Sequence, residues 1–305
     1  YGNKLSAGTQ GDMGAFARWE PVLRSIYHGL PVYQVGSWPI YNSEGLELDP
    51  AQTFNNNSDP NEMREFIEAA GYLVIDNVFS TSEVDQFREA SQRLRDLATP
   101  GDDKSWWGKN SNGTDICTRV LCGGNEAILA RLYEDSRIQR LLPAMPAGVV
   151  ANKAESLDGI TVIYKTPSMT EGLSDLPWHR DCGMGGHAHM CPAVNLSIYL
   201  HDATAETGEL RFLPGSHRAS CGNLDGDRLA GLAAPVKAGS VSLHYTDVMH
   251  AAPEPAAGSN IFRTSVLLNY TRHHRTHDGG RHYNDVLLGN EDGQIQHMDT
   301  LLTKR

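Results

Sequence analysis

Residues 193–202 read AVNLSIYLHD. Val194, Leu196, Ile198 and Leu200 fall on one side of an extended chain, and Asn195, Ser197, Tyr199 and His201 on the other. Strict alternation of this kind is the mark of a β-strand with two different faces. The segments GELRFLPGSH (208–217), GSVSLHYTD (239–247) and NIFRTSVLLNY (260–270) read as further strands, separated by Gly, Pro and Asn turns. In the last of these, Phe262, Thr264, Val266 and Leu268 form one face, and Arg263, Ser265, Leu267 and Asn269 the other.

Upstream of this region the rhythm is helical. Asp59-Pro60-Asn61-Glu62 offers an N-cap, a Pro at the first helical position and a glutamate for a capping box, and the helix ends at Gly71. YLVIDNVF (72–79) is a short apolar strand. Ser80 and Glu83 form a second capping box, followed by Val84, Phe87, Ala90, Ser91, Leu94 and Leu97 on one helical face. A third helix is expected over 124–142. Helices first and many short strands after predict a mostly β, α+β fold: a barrel or double-sheet core with flanking helices. Residues 1–58, rich in Gly, Pro, Asn and Tyr, read as an irregular N-terminal arm that ends in the polar linker FNNNSDP (54–60); residues 59–305 read as one domain.

The formal charge of −11 argues against nucleic acid and anionic membrane surfaces as partners. No apolar run approaches the roughly 20 residues of a membrane span. The opening YGNKLSAGTQGDMG lacks a basic-then-apolar leader pattern. Five cysteines, odd in number and without a C-x-x-C pair, fit a reducing cytoplasm. The expected partner is a small-molecule substrate, and the expected state is a monomer or homodimer.

The chemistry concentrates in PWHRDCGMGGHAHMCP (177–192). In an extended segment His179 and Asp181 point the same way and can grip one ion. A third ligand must come from a distant strand, and His250 in HYTDVMHAAPEP is the best candidate. Two histidines and one carboxylate with open positions is the arrangement of non-haem Fe(II) oxygenases. Arg263, 13 residues on (263 minus 250), would be a costly buried charge inside a barrel unless an anion met it. With Ser265 beside it, its fork suits the far carboxylate of a short diacid.

H-x-D, the turn GELRFLPGSHR and a late His followed by Arg resemble the phytanoyl-CoA dioxygenase family of Fe(II)/2-oxoglutarate oxygenases. The opening EFIEAAGYLVIDNVFSTSEVDQFR (65–88) is similar to that family's start. The resemblance covers about 59–270. It implies a double-stranded β-helix (jelly-roll) core, iron held by His179, Asp181 and His250, and 2-oxoglutarate clamped by Arg263. It also implies Asn195, with Ser197, on the wall of the cosubstrate pocket. O2 is then the second cosubstrate, ascorbate supports activity, and the product is an oxidised, most simply hydroxylated, small organic molecule, a natural-product intermediate or an acyl derivative. Ile163 is a departure: some relatives carry a polar residue two positions before the Lys of YKTP. The carboxylate at 181 separates the chain from the halogenases of this superfamily, which carry Ala or Gly there.

Two other readings of the triad stand beside this one: a non-catalytic metal-binding jelly roll, and a Zn or Mn cupin-type isomerase or hydrolase. His187 and His189, with Cys182 and Cys191, match no zinc spacing and read as a Gly-rich loop at the pocket mouth. His217 reads as a turn support. Trp106, Trp107 and Arg119 read as core or substrate contacts, and TRHHRTHDGGRH (271–282) as a local basic spot.

Overall fold

The computed structural model describes residues 40–152, 159–170, 176–179, 181, 193–218, 231–246, 248–256 and 258–271, the side chains of 177–179 and 218 excepted. A hairpin of β1 (Ile40–Tyr41) and β2 (Glu47–Leu48) leads to β3 (Phe54–Asn55), α1 (Pro60–Ala70) and β4 (Tyr72–Asp76). After α2 (Thr81–Leu97) come β5 (Ser105–Lys109), β6 (Asp115–Val120) and the short helices α3 (Ala127–Ala130) and α4 (Ser136–Gln139). Next are β7 (Val150–Ala151), β8 (Ile160–Lys165), β9 (Leu176–His179), β10 (Ala193–Tyr199) and β11 (Leu210–Phe212). The last four strands are β12 (Leu232–Ala234), β13 (Val241–Tyr245), β14 (His250–Ala252) and β15 (Arg263–Thr271).

Two sheets form the jelly-roll core. The larger runs β3-β4-β13-β10-β15-β8-β6-β5, with β7 added to β15, and the smaller runs β12-β11-β14-β9. They face each other. Phe212 of the smaller sheet stacks on Tyr72 of the larger at 4.3 Å, and the rings of His250 and His244 are 4.5 Å apart. The opposite side of the larger sheet takes the helices. Tyr164 Oη donates to the Ser91 carbonyl and Arg88 Nε to the Leu200 carbonyl, which ties α2 to that side.

Both helices start and stop for local reasons. Asp59 accepts from the Asn61 N–H, Pro60 opens α1, and Gly71 closes it at φ 88°, a conformation that favours glycine. Glu62 adds no return bond, so the first box is an aspartate cap alone, whereas the Ser80–Glu83 box is complete. Met63, Phe66, Ile67 and Ala70 of α1, and Val84, Phe87, Ala90 and Leu94 of α2, are the buried stripes.

Three expectations change. The helix expected over 124–142 is broken into α3 and α4 between 3-10 turns. Asp135 caps a new helix by accepting from the Arg137 N–H, so the chain turns there and brings Leu129, Leu132, Tyr133 and Ile138 into the core. The segment read as a polar linker contributes β3, parallel to β4, with Phe54 buried edge-on against Phe66. The last strand begins at Arg263, which leaves Phe262 exposed beside His201.

Candidate metal centre

Strand register assembles the site face. Asn269, Asn195, His244 and Tyr72 lie in one row across β15, β10, β13 and β4. The next row holds Thr161, Leu267, Ser197, Ser242 and Val74, and a third holds Arg119, Ile163, Ser265 and Tyr199. Arg263 pairs with Lys165 at the far end. Because side chains alternate across a strand, these residues share the face turned toward the smaller sheet.

Asp181 and His250 come together at one end, with His250 Nε2 3.7 Å from Asp181 Oδ2. His250 Nδ1 is 2.9 Å from the Val248 carbonyl. A carbonyl only accepts, so Nδ1 carries a proton, and in the neutral ring the lone pair is on Nε2, the nitrogen facing Asp181. Position 179 lies directly opposite His250 in the β9–β14 pairing; its side chain is outside the described residues.

His244 is the residue that the sequence reading missed. Its Nε2 lies 3.6 Å from Asp181 Oδ2. Asp181, His244 and His250 each offer a donor atom within 4.8 Å of the others. Neither nitrogen of the buried His244 ring makes a hydrogen bond among the described residues. A buried polar group left unpaired costs about 1–3 kcal/mol, a cost that an ion or its ligands in this space would remove. Nitrogen and carboxylate donors of this kind suit Fe(II). The available signal was weak: alternation in SVSLHY puts His244 on the face of Ser242, but no spacing rule joins it to H-x-D.

Asn195, expected on the cosubstrate wall, has its amide engaged at both ends. Its Nδ2 donates to Asp181 Oδ2 at 2.5 Å, and its Oδ1 accepts from Asn269 Nδ2 at 2.7 Å. Arg263 points inward and is only 5% exposed. Its Nε and Nη2 both donate to the Gly208 carbonyl, at 3.1 and 2.8 Å, and Nη1 makes no hydrogen bond among the described residues. Burial pushes the guanidinium below its usual range, and Tyr199 and Glu209 oppose that shift. Ser265 is buried on the same face, and Tyr199 Oη lies 3.1 Å from Ser242 Oγ. Lys165 Nζ donates to the Ala252 carbonyl at 2.6 Å. Gly208 must be glycine: its φ is +73°, and a Cβ there would sit 2.3 Å from both Lys165 Cε and the Pro253 carbonyl.

The remaining candidates divide. His217 supports a turn, with Nε2 3.0 Å from the Glu68 carbonyl. Trp106 is buried with the Arg119 guanidinium 4.7 Å over its ring. Cys182, His187, His189, Cys191 and residues 272–282 lie outside the described residues. Among the described residues no helix is long and apolar enough to cross a membrane.

Residues 67–259 match the sequence family described as phytanoyl-CoA dioxygenase (PhyH). No curated protein matches the chain. Among solved structures, EctD from S. alaskensis with 2-oxoglutarate and 5-hydroxyectoine is similar at TM-score 0.55 and 22% identity, over 76% of this chain and 82% of that one. The epimerase SnoN, in complex with Fe3+, alpha ketoglutarate and nogalamycin RO, is similar at TM-score 0.53 and 18% identity, over 70% and 83%. EvdMO1 is similar at TM-score 0.54 and 21% identity; 70% of this chain covers 50% of that protein, so the chain spans half of its length. At these identities the likeness speaks to the fold.

Proposed function

The chain belongs to the phytanoyl-CoA dioxygenase family, and we propose that His179, Asp181 and His250 hold the iron of this 2-oxoglutarate-dependent oxygenase. Iron held there would supply the oxidative chemistry, in which O2 and the conversion of 2-oxoglutarate to succinate and CO2 drive oxidation of a substrate C–H bond.

The chain's own residues do the holding and orienting. Asp181 brings the negative charge, and His250 presents Nε2 because Val248 occupies Nδ1. His244 faces the same space. At the other end Arg263, with Nη1 uncommitted and Ser265 beside it, takes the far carboxylate of 2-oxoglutarate. Positions 195 and 199 on β10 are four residues apart, about 13 Å along the strand. The small residues Ser197 and Ser242 between those ends leave length for a short diacid. The burial of Arg263, Ser265, Ser242 and His244 keeps water out and strengthens each polar contact. The substrate is a small organic molecule and the outcome hydroxylation; a solved relative is an epimerase, so the fate of the substrate after hydrogen removal depends on how it is held beside the metal.

The observation that carries this reading is the meeting of Asp181 with His250, opposite position 179, on a face whose far end holds a buried inward arginine. The test is succinate release from 2-oxoglutarate with Fe(II), O2 and ascorbate, with and without candidate substrates. Wild-type protein is expected to release succinate and the Asp181→Ala variant none. Metal-dependent binding without succinate release under any condition would count against the reading.

A further inference from the structure

Three asparagines stand in line behind Asp181. Asn152 Nδ2 donates to Asn269 Oδ1 at 2.9 Å, Asn269 Nδ2 to Asn195 Oδ1 at 2.7 Å, and Asn195 Nδ2 to Asp181 Oδ2 at 2.5 Å. The backbone frames the line. Asn195 and Asn269 are directly opposed on β10 and β15. The Asn152 N–H donates to the Asn269 carbonyl at 2.9 Å, and the Asn269 N–H to the Gly159 carbonyl at 3.2 Å. Tyr133 Oη donates to the Gly159 carbonyl at 2.7 Å and lies 3.1 Å from the Asn269 carbonyl.

The polarity of this line is dictated from its end. A carboxylate without a proton only accepts, so Asn195 must show it an N–H. That turns the Asn195 carbonyl toward Asn269, which must then offer its own N–H. The Asn269 carbonyl in turn faces the amide of Asn152. Asn152 Oδ1 is buried and has no hydrogen bond among the described residues, so the line starts there.

We infer that Asn195, Asn269 and Asn152 are positioning residues: a one-way series of amides that holds the Asp181 carboxylate in a single rotation toward the metal. The inference rests on the reading of Asp181 as a metal ligand. Each acts through its neighbour. The consequence is specific. Removing a link loosens Asp181, whereas reversing a link is worse. In Asn269→Asp a carboxylate faces the Asn195 carbonyl. Either the two oxygens stay opposed, or the Asn195 amide turns over and shows its oxygen to Asp181.

Co(II) titration of the metal-free protein tests this, alongside thermal unfolding without metal. Asn269→Asp is expected to weaken Co(II) binding on the order of 10–100-fold, the usual cost of losing a group that orients a ligand. Asn269→Leu is expected to weaken it less, with both variants folded without metal. Asn152→Asp against Asn152→Leu repeats the ordering one link further away, and carries the test if the Asn269 variants do not fold. Equal Co(II) affinities for the Asp and Leu variants overturn the inference. Asp181→Ala keeps the two readings separable. If it loses Co(II) binding while Asn269→Asp binds as wild type does, the line of amides fails and the metal site stands. If Asp181→Ala binds Co(II) as wild type does, the metal assignment itself fails.

Discussion

On the outer side of the β10–β15 ladder, Val194, Leu196, Ile198, Val266, Leu268 and Tyr270 pack under the helices; on the inner side, Asn195, Ser197, Tyr199, Arg263 and Ser265 face the smaller sheet. Both sides are buried, yet one is mostly apolar and the other mostly polar. In an ordinary sheet with one wet face, the polar side would meet solvent. Here the second sheet closes over it, so its polar groups must satisfy one another or a ligand. The outer side stabilises the fold through area and packing. The inner side costs stability and is organised by hydrogen bonds and charge, as expected of a site whose function requires those groups.

Substitutions on the two sides should therefore separate chemistry from stability. The largest effect is expected from Asp181→Ala: loss of Co(II) affinity by more than about a hundredfold and loss of succinate release, with the unfolding temperature little changed. A variant that kept both metal and turnover would erase the distinction between the two faces. Next is Arg263→Leu. Truncating a buried partner of a carboxylate costs about 2–5 kcal/mol, so KM for 2-oxoglutarate should rise about 30-fold or more. Stability should hold or improve, since a buried charge is removed; steady-state kinetics with a chemical melt reads both.

On the outer side the signs invert. Leu196→Ala should destabilise the fold by about 2–5 kcal/mol in denaturant unfolding, while KM for 2-oxoglutarate stays as in wild type. The smallest effect lies at the helical layer over that face. There Arg137 hydrogen-bonds Glu83 and holds its carboxyl down from 4.5 to about 2 against the opposing effect of burial. A depressed carboxyl stabilises the fold above its unfolded pKa. That contribution is therefore complete above about pH 5 and withdrawn as the pH falls from 4.5 to about 2. Glu83→Gln should flatten this part of the acid stability curve and change little at pH 7. Because the pair is partly exposed, salt should weaken it.

Much of this was legible in the sequence. The alternation in 193–200 and 263–270 assigned each side chain to its face, and Arg263 faces inward as that pattern required. The caps at Asp59 and Ser80 placed both helix starts. The break within 124–142 was harder to see, because AILARLYEDSRIQRLL is rich in helix formers and only Asp135 signals a new cap. Tertiary demand decided it: Leu129, Tyr133 and Ile138 reach the core together only if the chain turns at Asp135. His244 and the asparagines behind Asp181 were illegible as partners for another reason. Asn152, Asp181, Asn195, His244 and Asn269 are far apart along the chain, and no spacing rule links them.

The order of residues determined the element types, the two-faced strands and the kinds of donor available, because those follow from periods of two and 3.6 along a single chain. Which polar face would be sealed from water, which imidazole would stand beside Asp181 and which amide would support it were decided by strand pairing. Register between distant strands comes from long-range packing, and it alone turns four separate segments into one row of side chains.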